Sequence, residues 1–327
     1  SSGTIDIATT AGGVTQATGG TVVAGTFTSG TSIASGLTLA STANQIGTLG
    51  PVKATGIKLA DSQGLTLAGA IDVGTGNLDL STSSGSIVQA AGASIKAGTL
   101  LSSGGIATDL TVGQTANSIG AIGTISVGAS GTIALVDSID LSIVGTLRGH
   151  LISVNDGART LGFVNGASIV TDGIARPSGT VTTLPTLSSG YGGAFFTAGA
   201  VTQAGQLTVA SATTANNILR IDATSTIALD TAIGIVGPNT WLILGLGNKG
   251  AAGGRMAVAS FDLNYSGAIG SSSFLGTVGG AYNGIGVSAT GPYKKIEDLV
   301  AAGKQKTLTF TTATPLQALA VFQLGSQ

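Results

Sequence analysis

The chain reads as an all-β protein wound as a parallel β-helix, a solenoid of short strands, and three observations predict that class. Apolar residues recur in short triplets of period two, blocks of sequence return at a fixed displacement, and glycine fills 54 of 327 positions while only 8% of residues are charged.

Ile5-Asp6-Ile7, Leu37-Thr38-Leu39, Leu65-Thr66-Leu67, Leu78-Asp79-Leu80, Ile139-Asp140-Leu141 and Ile227-Ala228-Leu229 each put two aliphatics on one side of the backbone and a small or polar residue on the other. Period two means strand. Gly, Ser, Thr and Asn punctuate the joins, and helical periodicity is nearly absent.

The repeat is arithmetic. Val14-Thr15-Gln16 returns as Ile87-Val88-Gln89, Ala24-Gly25-Thr26 as Ala97-Gly98-Thr99, and Thr42-Ala43-Asn44-Gln45-Ile46 as Thr115-Ala116-Asn117-Ser118-Ile119, each 73 positions later (16 to 89, 24 to 97, 44 to 117). A shortened third copy follows at Val201-Thr202-Gln203 and Thr214-Ala215-Asn216-Asn217-Ile218. The interval from Gln to Asn there is 13 residues (203 to 216) instead of 28 (16 to 44), so about one short coil is missing. A quasi-one-dimensional stack tolerates such a loss.

Strands this short bury a core only by stacking rung on rung. At about 20 residues per coil the chain makes about 15 coils, a stack on the order of 70 Å at the inter-strand spacing. Coil corners need residues that accept positive φ, which glycine does most cheaply. Asn44, Asn117 and Asn216, each two residues before an Ile, are the structural corner candidates, either as turn formers or as ties to adjacent coils.

Composition excludes several classes. A mean hydropathy of +0.49 with recurrent Ile, Leu and Val argues against disorder. A net charge of −1 with no basic stripe excludes a nucleic-acid partner. Zero cysteines exclude disulfides, thiolate metal sites and thiol catalysis. No apolar run approaches membrane-spanning length, Trp241-Leu242-Ile243-Leu244 stopping at Gly245, so no transmembrane segment is expected. Ser1, with no leader before it, is expected to open a processed or excised chain.

Gly85-Ser86-Ile87-Val88-Gln89-Ala90-Ala91-Gly92, followed by Ile95-Lys96-Ala97-Gly98-Thr99-Leu100, resembles the coils of filamentous-haemagglutinin-like adhesins exported by two-partner secretion, a likeness extending over roughly residues 1 to 290. The resemblance implies a right-handed β-helix, an extracellular location at the bacterial cell surface, and a role in adhesion or surface fibres. It implies no catalytic residue.

Residues 1–237 are therefore expected to form the helix, and residues 238–327 further coils with a C-terminal cap or subunit-docking segment. The single Trp, three of the four Tyr and the single Glu fall in this last part. Lys294 to Ala302, closed by Gly303, reads as a short helix, Thr307-Leu308-Thr309-Phe310-Thr311 as a strand, and Thr314-Pro315-Leu316-Gln317 as a helix-opening capping box. Trp241, Tyr293, Lys294, Lys295, Leu316, Leu319, Phe322 and Leu324 are the assembly candidates, through which copies would join head to tail or the stack would be capped.

The motifs that hint at chemistry are weak. Gly245-Leu246-Gly247-Asn248-Lys249-Gly250 fits the spacing of a dinucleotide fingerprint but lacks a following helix start. Gly74-Thr75-Gly76-Asn77-Leu78-Asp79-Leu80 is a single copy of a calcium-roll-like stretch, and one copy supplies too few oxygens. Asp72 with Asp79 and Asp137 with Asp140 are the near carboxylate pairs. The lone His150 cannot by itself support a triad. Lys294, Lys295, Lys304 and Lys306 form the basic concentration, on a solvated helix face, against an acidic surface glycan or membrane, or in subunit contacts.

No catalytic residue, cofactor or metal is expected. The sequence points to an extracellular, non-enzymatic fibre subunit or adhesin whose partners are further copies of itself and a cell-surface glycan. A carbohydrate-active β-helix enzyme is the alternative class, and an ice-binding solenoid carrying Thr38, Thr66 and Thr208 a more remote one.

Overall fold

The computed structural model describes residues 3–171, 193–211, 217–229, 233–236, 240–246, 256–263, 269–278, 281–284 and 306–324. Over these residues the protein is all-β, its parallel strands stacked as a β-solenoid of about nine turns, with no helix. The chain divides into two compact units, Ser1–Asn155 and Asp156–Gln327.

In the first unit one column of strands runs Thr4–Asp6, Val23–Thr28, Gln45–Leu49, Leu65–Leu67, Ile87–Gln89, Leu110–Val112, Thr132–Val136 and Leu151–Asn155, each parallel to the next. A second runs Val14–Thr15, Gly36–Leu39, Gly56–Asp61, Asn77–Thr82, Ser94–Leu101, Ser118–Ile122 and Leu141–Ile143. Down the first column, Thr4, Thr26, Thr48, Thr66, Val88, Thr111, Ala134 and Ser153 stand in register, so a coil takes between 18 (48 to 66) and 23 (88 to 111) residues.

The period-two triplets explain the packing. Leu37 and Leu39 are buried while Thr38 between them is half-exposed, and Leu65, Thr66 and Leu67 repeat the pattern. Ile57 pairs with Leu37 on one side and Leu78 on the other, all three inside, so each rung covers the aliphatics of its neighbour. Such a column removes apolar area from water at about 25 cal/mol per Å² without requiring any single strand to be stable alone.

One triplet behaves differently. Ile139-Asp140-Leu141 was expected to be a strand with both aliphatics inside, yet only Leu141 is buried and Ile139 is 38% exposed. Ile139 falls in the bend that follows Asp137, whose carboxylate accepts the Ile139 N–H at 3.1 Å and turns the chain before the strand begins.

In the second unit Thr160–Val164, Gly193–Ala204, Asn217–Leu229 and Met256–Leu263 are parallel in sequence, and Thr240–Leu246 also pairs with Asn217–Leu229. Rungs are longer here. Leu161 aligns with Val201, 40 residues on (161 to 201), and Ile227 with Phe261, 34 on (227 to 261), so the interval between aligned rungs exceeds the coil of about 20 residues that the sequence predicts. Phe163 and Phe196 pack edge to face at 5.1 Å in the core of this unit.

The C-terminal end corrects one expectation and bears out another. Lys306–Leu324 is one strand, antiparallel to Thr240–Leu246, Met256–Leu263 and Ile269–Val278. The alternating residues Thr307 to Thr311 lie in it as expected, but Thr314-Pro315-Leu316-Gln317 does not open a helix. Pro315 instead occupies an irregularity, where the pairing with Met256–Leu263 jumps from Thr311 to Leu316, and an N–H is not needed there. The short helix expected over residues 294–302 lies outside the described residues.

Candidate functional site

The residues that the fold brings together most tightly are amides and carboxylates at the coil corners. Asn44 is fully buried, and its Oδ1 accepts the Gln16 side-chain amide at 2.6 Å and the Val22 N–H at 2.9 Å. Its Nδ2 donates to Gln16 Oε1 at 3.2 Å, to the Leu39 carbonyl at 3.2 Å and to the Ala60 carbonyl at 3.0 Å. Gln16 Oε1 also accepts the Ser41 N–H. A single asparagine thus ties its own coil to the one before and the one after.

The second copy repeats this arrangement. Asn117, also fully buried, accepts the Gln89 amide at 2.7 Å and the Ile95 N–H at 3.0 Å, and donates to Gln89 Oε1 at 3.1 Å and the Val136 carbonyl at 3.0 Å. The corner candidates Asn44 and Asn117 therefore do more than form turns. Asn216 lies outside the described residues, although Gln203, the third copy's glutamine, is buried and donates to the Gly205 carbonyl at 2.8 Å.

The sequence reading missed the partners. Asp61 accepts the Ile46 N–H at 2.7 Å and the Gln63 N–H at 2.9 Å, and Asp137 accepts the Ile119 N–H at 2.9 Å besides that of Ile139. The adjoining hydroxyls, Ser62 and Ser138, donate to the carbonyls of Asn44 and Asn117. Burial pushes the Asp61 and Asp137 carboxyls above the ordinary carboxylate value, against the opposing pull of their main-chain N–H donors. The signal available was the dipeptide Asp-Ser, displaced by 76 (61 to 137) rather than 73.

Other carboxylates are engaged in the same way. Asp6 accepts the Gly30 N–H at 2.6 Å, Asp72 the Gly74 N–H at 2.8 Å, and Asp109 the Thr132 N–H at 2.8 Å and the Ser86 hydroxyl at 3.1 Å. In the second unit Arg220 holds Asp222 through two contacts, Nε to Oδ2 at 2.6 Å and Nη2 to Oδ1 at 3.1 Å. Burial pushes the Asp222 carboxyl up and the guanidinium opposes it.

On the outer face of the first unit, register assembles a mixed cluster. Lys58 and Asp79 are direct partners on adjacent strands, and Lys58 Nζ lies 3.3 Å from Asp79 Oδ2. Ser103, one coil further on, donates its hydroxyl to Asp79 Oδ2 at 2.6 Å and accepts from Lys58 Nζ at 3.1 Å, while its N–H donates to Asp79 Oδ1 at 2.8 Å. Lys53, Asp72 and Lys96 stand in one register column on three successive coils.

Among the other sequence candidates, Trp241 lies in Thr240–Leu246, opposite Ile218 on one side and Gln323 on the other. Leu316, Leu319, Phe322 and Leu324 have partners of the same chain on both edges: Met256 and Val278, Gly245 and Leu275, Leu242 and Ser272, Thr240 and Ile269. Tyr293, Lys294, Lys295 and Lys304 lie outside the described residues, and Lys306 opens the last strand. Gly245 and Leu246 end a strand, and residues 247–250 lie outside.

Asp72 and Asp79 sit on neighbouring strands of one coil, but each is engaged by different partners, and the metal-like stretch at residues 74–80 is a turn at Gly74 leading into Asn77–Thr82. Asp140 is exposed beside the buried Asp137, and the His150 N–H donates to the Gly131 carbonyl at 2.9 Å. Thr66 belongs to a column with Thr4, Thr26, Thr48 and Thr111, broken by Val88 and Ala134, whereas Thr38 and Thr208 belong to others. Among the described residues no three His, Asp or Glu side chains gather as metal ligands, and no helix is long and apolar enough to cross a membrane.

The chain matches no protein-family model, no curated protein and no solved structure.

Proposed function

We propose that the protein is an extracellular structural solenoid, an adhesin or the subunit of a surface fibre, and that it works without chemistry of its own. The observation that carries this reading is the use made of its polar side chains. Asp6, Asp61, Asp109 and Asp137 accept main-chain N–H groups across coils, and Gln16 with Asn44 and Gln89 with Asn117 form buried amide pairs. Acid–base catalysis needs carboxylates free to exchange protons with a ligand, whereas these hold coils together.

A neutral, cysteine-free surface and a core that repeats rung by rung suit persistence outside a cell. Negative-stain electron microscopy over a concentration series tests the fibre form: uniform filaments that lengthen with concentration are expected, and particles of constant size at every concentration remove it. Binding of the labelled protein to intact cells tests the adhesin form.

A second reading, a carbohydrate-active enzyme, has one observation in its favour. Lys58, Asp79 and Ser103 place an ammonium, a carboxylate and a hydroxyl within hydrogen-bonding distance on the outer face of three coils. Release of reducing ends or unsaturated sugars from uronate or neutral glycans, abolished by Asp79→Asn, would establish it in place of the structural reading.

A further inference from the structure

We propose that the outer face formed by Val52–Lys53, Ala70–Asp72 and Ser94–Leu101 is a docking surface for a linear polyuronate, a glycan carrying carboxylates along its length. This deepens the adhesin reading and rests on it. Residues 1–155 contain three lysines, Lys53, Lys58 and Lys96; Lys53 and Lys58 lie in one coil, and Lys96, 43 positions beyond Lys53 (53 to 96), returns to the Lys53 column two rungs on.

Lys53 and Lys96 are exposed and stand two rungs apart, about 10 Å from strand to strand. Neither makes an ion pair with Asp72, which lies between them in register and directs Oδ1 to the Gly74 N–H instead. Lys58 is different, since Asp79 and Ser103 already hold it. Two ammonium groups thus face solvent without an ion pair, and the single carboxylate between them, Asp72, leaves the column with a net positive charge. Ser118 continues the column beyond Lys96 and adds a hydroxyl.

The chemistry of the surroundings selects the ligand. The only aromatic residue in this unit, Phe27, is buried in the core, so no ring is available to stack on a neutral sugar. Affinity must then come from charge. The unit as a whole has four basic residues (Lys53, Lys58, Lys96, Arg148) against seven aspartates, a net of −3 (4 − 7), which repels a polyanion as densely charged as DNA. A polyuronate, whose carboxylates are more widely spaced, spans the two lysines and meets, in their column, only the Asp72 carboxylate between them.

The test is binding of the full chain to polygalacturonate, measured by calorimetry at low and high ionic strength, for wild type, Lys53→Gln with Lys96→Gln, and Asp72→Asn. Binding is expected at low salt and lost at high salt, weakened about tenfold by the double lysine change and strengthened about threefold by Asp72→Asn, which retains the oxygen that accepts the Gly74 N–H. Unchanged affinity in the double variant overturns the proposal, as does equal affinity for an uncharged β-glucan or for duplex DNA. Adhesion of the double variant to cells at wild-type strength overturns this site while leaving the adhesin reading intact; absence of adhesion by the wild type removes that reading itself.

Discussion

At Asn44 and Asn117 one side-chain amide serves three coils, so its removal leaves several buried groups without partners at once. Asn44→Ala strips the Val22 N–H and the Gln16 amide of their acceptor, and the expected cost is about 3 kcal/mol, read as a lower urea midpoint. Asn44→Asp is expected to cost more, because it turns a carboxylate oxygen toward the Leu39 and Ala60 carbonyls and buries a charge. If the aspartate variant proves the more stable of the two, the amide pair is not what holds this corner. Asp61 and Asp137 give a pH signature of opposite sense to ordinary acid denaturation. Their carboxyls are raised above 3.8 in the folded chain, so the native state binds the proton more tightly than the unfolded one. That contribution to stability is present near pH 4 and is lost as pH rises through the raised values. The unfolding midpoint is therefore expected to fall, as pH rises from about 4 through the raised values, by less in Asp61→Asn with Asp137→Asn than in wild type. These pairings were only half legible. The displacement of 73 marked Gln16, Asn44, Gln89 and Asn117, but the coils above them differ in length by three residues, which moved the aspartates to a displacement of 76 and hid them.

Strands and corners were the best predicted level, because alternation of Leu with Thr or Asp has few other solutions when the strand is three residues long. What alternation could not show is why glycine is so abundant. Some glycines have positive φ, such as Gly92 at +76°, where an added methyl would meet open space. Others have ordinary backbone angles and are small because the next coil comes too close: a Cβ on Gly98 would overlap the Thr75 carbonyl. The two kinds predict different penalties. Gly92→Ala is expected to cost about 1 kcal/mol from its left-handed backbone, and Gly98→Ala about 3 kcal/mol, since the obstruction is backbone and cannot swing away. Thermal unfolding of the two variants decides the matter, and equal losses would mean that coil spacing yields to a methyl group. The C-terminal strand shows the limit of local signals in the other direction. Thr314-Pro315-Leu316-Gln317 has the spacing of a helix start, yet the strand Lys306–Leu324 is held on both edges from Ala318 to Leu324, directly after that stretch, and tertiary pairing overrides a capping motif.

At the scale of the molecule, the coil arrangement makes stability a sum of neighbour terms instead of the property of one shared core. Each rung of the first unit touches the rung before and the rung after, as the register from Thr4 through Ser153 shows, so a defect should act locally. The second unit has its own core around Phe163, Phe196 and Ile221. Unfolding is therefore expected to proceed in more than one step, without the single transition typical of a small domain. Hydrogen exchange followed by mass spectrometry separates the cases peptide by peptide. Asn44→Ala should speed exchange in residues 14–67, where its partners and their neighbours lie, while peptides from residues 193–211 keep wild-type protection. A uniform loss across both regions would mean that the chain unfolds as one cooperative body, and the nearest-neighbour description would have to be abandoned. The same locality explains how a third repeat can lack about one coil without losing the motifs on either side. A solenoid is shortened by removing a rung and closing the gap, provided the register and the inward aliphatics match, and Leu161 aligned with Val201 shows two rungs in register although 40 positions separate them (161 to 201), with that match preserved.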